Sequence, residues 1–433
     1  MFVALRFGDV INAVIGLWLV PKYVPQEELG AVLPLTQFAT TFALPVSILV
    51  TIFTRYLTIF KTRGEIGKVK SLLIWMICLV IFATSISSFV AIFSLPHLFE
   101  RIRVQNGSLT ILIIAAGLIG TISPIFNNAL QGLKRFKTIT AINLLSAPIR
   151  LATMLVTLPI RALSGYMVGQ IVPQLFSISA TCVSLRKTLS SGVKATPFWQ
   201  GEGKSILKYS LLCAAWTIPG SVFAMVQALI IRQRLPEVES AAYYMISRFS
   251  EIGIYAGTTL SFMMFPLAAE AFQENKKTRL VLKANIATCA IGLPITAVLA
   301  AAGAFLFKSI PSYNDYQPFV FEMVLLSLLL ISQQIAGNYT TYESINNRFW
   351  HMFFTLPITT IKILILICFT GYTFFVGILP DNVLDWMAGF HMAKLRNILL
   401  MLLTLQTLQN AILYLCYNHR ERITRLSALK EVV

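Results

Sequence analysis

The sequence predicts an all-α polytopic membrane protein, with twelve transmembrane helices in two like-oriented six-helix bundles around a central cavity. Three observations predict it. Hydrophobic residues make up 56% of the chain and charged residues only 12%, about half the charge of a soluble globular protein. The apolar residues gather in runs of about 20 or more, the length that crosses ~30 Å of hydrocarbon. The basic residues collect in alternate connections between those runs, and Lys and Arg in short loops are retained on the cytoplasmic side.

In chain order the runs cover residues 3–20, 29–60, 71–95, 108–132, 138–160 and 164–185, then 206–231, 240–270, 281–307, 318–345, 350–377 and 389–417. Several contain proline, among them Pro45, Pro124, Pro148, Pro219, Pro294 and Pro357. Membrane helices tolerate this when neighbouring helices satisfy the freed carbonyls. The first run is not a cleaved signal: it lacks a basic leader and a small-residue cleavage pattern, and Arg6 and Asp9 stand where the apolar core of a signal belongs.

Orientation follows from the connections. One set carries Lys61, Arg63, Lys68 and Lys70, then Lys134, Arg135 and Lys137, then Arg186, Lys187, Lys194, Lys204 and Lys208, with more at 276–283 and 420–430. The other set is poorer in cations and is diluted by Glu27, Glu28, Glu100, Glu237, Glu239, Asp315, Asp381 and Asp385. Both termini are therefore expected in the cytoplasm. The same asymmetry explains most of the +17 net charge, because basic loops facing anionic lipid are ordinary for a membrane protein. Nucleic acid is not an expected partner.

The six cysteines sit singly inside apolar runs and the four histidines are dispersed, so neither a disulfide frame, a metal site nor a cofactor is indicated.

The two halves share a layout. The segment from Val24, VPQEELGAVLPLTQF, aligns with that from Leu235, so that Pro25 meets Pro236 and Phe38 meets Phe249. Further on, Arg135 and Phe136 meet Arg348 and Phe349. Each match is an outer proline-acidic loop, a long span and a basic inner loop. Six spans separate equivalent points, so the halves are expected to be parallel repeats with a site between them near mid-membrane. The expected domains are a bundle over 1–186, a cytoplasmic linker over 187–204, a bundle over 205–418 and a basic tail over 419–433.

Candidate site residues are the charges that these spans bury. Arg150 lies roughly 20 Å along a helix from Lys137 and about 16 Å from Arg161 at 1.5 Å per residue, which is mid-membrane. Lys362 occupies the matching place in the second half, within a residue of the repeat offset. A cation there costs at least ~2.5 to 3.5 kcal/mol, so it marks a wet cavity or a partner. Arg6 with Asp9, and Arg248 with Glu251, are i, i+3 pairs that each place an acid and a base on one helix face. Structural readings stand beside these. Arg150 or Lys362 satisfies a carbonyl freed by Pro148 or Pro357, and the two acid–base pairs neutralise themselves. Arg55, Glu322, Lys394 and Arg396 lie near span ends, where they reach the interface.

With these residues on the page, the chain resembles the multidrug/oligosaccharidyl-lipid/polysaccharide exporter superfamily, and within it the Wzx-type polysaccharide (O-antigen) flippases. The stretch YYMISRFSEIGIYAGTTLSFMMFPLAAEAFQENKK carries much of the likeness, with Phe265 and Pro266 before small residues, an acid and a basic loop. Arg248 with Glu251 and Arg6 with Asp9 look like charges that the related lipid II flippases carry in equivalent spans. The chain departs from them in having almost no segment before its first span, and in the inner position of Arg55.

The resemblance implies a flippase in the bacterial cytoplasmic (inner) membrane and no enzyme activity. It would carry a polyprenyl-diphosphate-linked oligosaccharide to the outer leaflet by alternating access, with Arg6, Arg150, Arg248 and Lys362 facing the headgroup. Asp9 and Glu251 would serve as a coupling or charge pair for H+ or Na+. Membrane lipids, a polysaccharide polymerase and assembly proteins are the implied partners. Three other readings stay open: a cation-coupled multidrug antiporter of the same superfamily, a twelve-span major-facilitator carrier, and a membrane glycosyltransferase or ligase. The second lacks its Gly-Asp-Arg loop pattern here, and the third would need a larger outer loop.

Overall fold

The computed structural model describes residues 8, 10–42, 44–102, 107–133, 135–189, 193–200, 202–254, 280–309, 311–345, 350–369 and 395–430. Among them there is no strand. The chain is an all-helical, polytopic membrane protein.

The helices follow the apolar runs. They are α1 (Val10–Tyr23), α2 (Val32–Phe42), α3 (Leu44–Thr62), α4 (Ile66–Ile102), α5 (Gly107–Gly132), α6 (Phe136–Leu189) and α7 (Gly203–Arg234). A helix over 237–254, α8, opens immediately after Pro236. There follow α9 (Leu280–Ser309), α10 (Val320–Ile345), α11 (Met352–Phe369) and α12 (Leu395–Lys430). Seven of the described helices are long and apolar enough to cross a membrane, and α1 and α11 give shorter apolar stretches.

One boundary differs from the expectation. Helices α2 and α3 flank residue 43, which lies outside the described residues, and both fall within the expected run at 29–60. The runs at 138–160 and 164–185 join in α6, broken only at Arg161 (φ −142°, ψ 24°) and Ala162 (φ 39°, ψ −112°). Ala162 thus holds a left-handed conformation, and Pro159, three residues earlier, lacks an N–H for the helix ladder. The two arms of α6 come very close: the Thr157 hydroxyl donates to the Gly165 carbonyl at 2.8 Å. A Cβ at Gly165 would stand 2.1 Å from the Thr157 carbonyl oxygen, so glycine is required there.

The described helices group into two compact units, Met1–Met245 and Ile246–Val433. In the first, α5 packs on α3, α4 and α6, and α7 packs on α2 and α3. The Tyr56 and Ser205 hydroxyls lie 3.1 Å apart across the α3–α7 contact, and Phe53, Leu57 and Phe60 of α3 are fully buried. The division between units therefore falls inside α8, later than the 187–204 segment. That segment is tied to the start of α4, where Thr196 N–H donates to the Gly67 carbonyl at 3.2 Å and Phe198 stacks on Trp75.

In the second unit, α10 packs on α9 and α12, and α11 packs on α12. Tyr339 and Tyr417 meet there with ring centroids 5.5 Å apart, over Val281, Ala284 and Leu413. Outward faces are apolar too: Phe82, Phe89 and Phe93 share one face of α4 and are each about two-thirds exposed. A surface of this kind suits lipid.

Candidate functional site

The first unit carries a partly open cavity of about 250 Å³ between its helices. Each wall is one face of one element. Gly8 precedes α1 and Asn12 lies in its first turn, and Ser123 and Asn127 lie one turn apart on α5. The first arm of α6 gives Asn143, Ser146, Ala147 and Arg150, which the helical period sets in one stripe. Its second arm gives Gln170, Pro173, Gln174 and Ser177, again one stripe. The break at Arg161 and Ala162 folds those two stripes toward each other.

Arg150 is the charged residue of the described lining. Its guanidinium donates to Asn12 Oδ1 at 2.6 Å, on a different helix. The arginine is therefore held across the cavity by an amide. Just beyond Asn12, α1 widens into a π-helical turn over Ile15–Leu19, a geometry that often accompanies functional sites. The Tyr244 hydroxyl reaches the Gly16 carbonyl of that turn at 3.4 Å.

The remaining expected residues sit elsewhere or outside the described residues. Arg6 and Asp9 lie outside them, as do Phe265 and Pro266. Arg248 and Glu251 form the expected pair on α8 at 2.8 Å, each about a quarter exposed. Lys362 is 4% exposed. Its ammonium donates to Gln406 Oε1 at 2.5 Å and Gln409 Oε1 at 2.7 Å, both on α12. It therefore crosslinks α11 to α12 through two amide carbonyls.

Of the charges near span ends, Arg396 pairs with Glu322 at 2.9 Å while remaining about half exposed. Arg55 is turned inward, its guanidinium 4.2 Å from the Tyr209 ring and 5.8 Å from that of Tyr56. A cation over a ring face is stabilised by the ring quadrupole, which explains how an arginine fits inside α3. Lys394 lies outside the described residues.

The residues that charge-counting overlooked are amides. Gln170 and Gln174 are i, i+4, and Asn143, Ser146 and Arg150 follow at i, i+3 and i+7, so the polar stripe was legible in principle. The second unit has a comparable seam: Asn338 donates to Asn285 at 2.8 Å, and Asn410 to the Ser332 hydroxyl at 2.7 Å. Glu343, also buried, accepts from the Trp350 indole at 2.8 Å. Among the described residues no three His, Cys, Asp or Glu gather in a way that would hold a metal ion.

No family model matches the sequence, nor does any curated protein. Solved structures do match over nearly the whole chain. One is described as an outward-facing multidrug resistance MATE family transporter of the MOP superfamily, with TM-score 0.70, 13% identity and coverage of 98% of this chain and 94% of that one. An inward-facing structure of the same description has TM-score 0.67 and 13% identity, covering 98% and 96%. A MOP superfamily transporter from Pyrococcus furiosus, whose description states that reverse polarity of its binding pocket suggests a different function, has TM-score 0.66 and 12% identity over 99% and 95%. At these identities the likeness is one of fold: this chain shares the fold of the MATE transporters of the MOP superfamily.

Proposed function

We propose that the protein is a flippase that moves a polyprenyl-diphosphate-linked oligosaccharide from the cytoplasmic to the outer leaflet by alternating access. The observation that carries this reading is Arg150, braced by Asn12 in a cavity where five amides and three serines contribute to the lining. A guanidinium grips phosphate with parallel charge-assisted hydrogen bonds. Its attraction for an anion is strong where water is scarce. The fold supports the transport part of the reading, since neighbours that share it are described as transporters in inward-facing and outward-facing conformations. Arg248, paired with Glu251 on α8 of the second unit, remains a candidate headgroup residue of that unit.

The second reading is a cation-coupled multidrug antiporter, favoured by the descriptions of those neighbours. An arginine-bearing cavity repels cationic drugs, which is the physical reason to prefer the anionic cargo.

Reconstitution in liposomes separates the two. A fluorescent polyprenyl-diphosphate oligosaccharide and ethidium are followed in parallel, with imposed H+ and Na+ gradients. The flippase reading expects transbilayer movement of the lipid, lost in Arg150→Glu and retained in part in Arg150→Lys. Gradient-driven ethidium movement without lipid movement would overturn it.

A further inference from the structure

We infer that the cavity inside the first unit is a saccharide subsite, in which Asn127 and Gln174 receive the hydroxyl groups of a sugar. This rests on the flippase reading for its biological sense and adds where the glycan, as distinct from the diphosphate, is recognised.

The lining is unusual for a ligand pocket. Pockets for drug-like molecules are mostly apolar with a few convergent polar groups, whereas here only Gly8, Ala147 and Pro173 lack a polar side-chain atom. Asn127 Oδ1 and Gln174 Oε1 are buried and accept no hydrogen bond among the described residues. A buried acceptor left unmade is costly, and both residues line the cavity, so a small rotation of either amide would offer its carbonyl to a donor that enters the space.

The chemistry of that donor follows from the side chains. An amide offers one acceptor and one donor group, and a hydroxyl both donates and accepts. A sugar therefore satisfies an asparagine or glutamine in either orientation of its amide. An organic cation without N–H or O–H groups leaves the two carbonyls unbonded. Serines 123, 146 and 177 extend the same pattern around the rim. With a volume of about 250 Å³ the space suits one ring rather than a whole repeat unit. Arg150, on the same wall as Asn143 and Ser146, then stands beside the first sugar, where a diphosphate would join it.

The test is direct binding to the full-length protein in detergent. Radiolabelled glucose, galactose, N-acetylglucosamine and rhamnose are the probes in equilibrium dialysis, with tetraphenylphosphonium as the cationic control. At least one sugar is expected to bind. Gln174→Met and Asn127→Leu are each expected to weaken it about tenfold, equivalent to ~1.4 kcal/mol, and tetraphenylphosphonium is not expected to compete. Ser177→Ala, which deletes one oxygen only, is the milder variant should either of those fail to fold; it is expected to weaken binding in the same direction. If no sugar binds while the parent flips the lipid-linked oligosaccharide, the cavity holds water only: the subsite is wrong and the flippase stands. If a sugar binds and the lipid is not flipped, the subsite stands and the flippase reading falls. Binding unchanged in all three variants overturns the subsite.

Discussion

Replacing Gly165 by alanine should open the hinge that folds the two arms of α6 together. The added Cβ would lie 2.1 Å from the Thr157 carbonyl oxygen, 2.5 Å from its carbon and 2.9 Å from the Leu158 nitrogen. Non-bonded heavy atoms settle at about 3.5 to 4.0 Å, and all three obstacles are backbone, so the arms must part by roughly an ångström. Overpacking of this kind costs about 1 to 3 kcal/mol. The hydrogen bond from Thr157 Oγ1 to the Gly165 carbonyl adds about 1 kcal/mol when it is stretched. Together they give about 2 to 4 kcal/mol, or roughly 5 to 15 °C in Tm for a unit of this size. Gly220, where a Cβ meets nothing within 4 Å, supplies the control: Gly220→Ala is expected to be neutral or slightly stabilising. Tm of the two variants and the parent in one detergent decides it. A Gly165→Ala protein melting with the parent would refute the close approach, and with it the geometry that brings Gln174 toward Arg150.

Lys362→Met removes two charge-assisted bonds to Gln406 and Gln409, worth about 1.5 to 3 kcal/mol each, and spares the ~2.5 to 3.5 kcal/mol or more of burying a cation. A small net loss is expected, read as a Tm lower by a few degrees with flipping largely kept; unchanged Tm with abolished flipping would instead make Lys362 a headgroup contact. The exchange Arg248→Glu with Glu251→Arg preserves an i, i+3 pair and should alter stability by less than about 1 kcal/mol. If Arg248 meets the diphosphate, the exchanged protein flips far more slowly than the parent in liposomes; equal rates would reduce the pair to a structural one.

The sequence exposed what depends on the solvent around each helix and concealed what depends on which helices touch. The run at 71–95 announced a helix of membrane length through composition alone, and the mid-span placement of Arg150 required polar company whatever the tertiary structure. The identity of that company was not legible, because Asn12 lies 138 residues away and an isolated asparagine in an apolar run carries no mark of its partner. Lys362 shows the converse. Its repeat position matched that of Arg150, yet repeat symmetry aligns backbones and leaves side-chain neighbours free to differ. Arg150 faces a cavity of hydroxyls and amides, while Lys362 is enclosed by two glutamines one turn apart on α12. The two cations thus meet opposite physical fates: one keeps open space beside it, and the other donates to two glutamines of a packed helix. The helical spacing of the amides around each cation is what tells them apart. Gln406 and Gln409 at i, i+3 form a single compact acceptor, whereas the amides around Arg150 are spread over α1, α5 and both arms of α6, an arrangement that encloses volume instead of filling it.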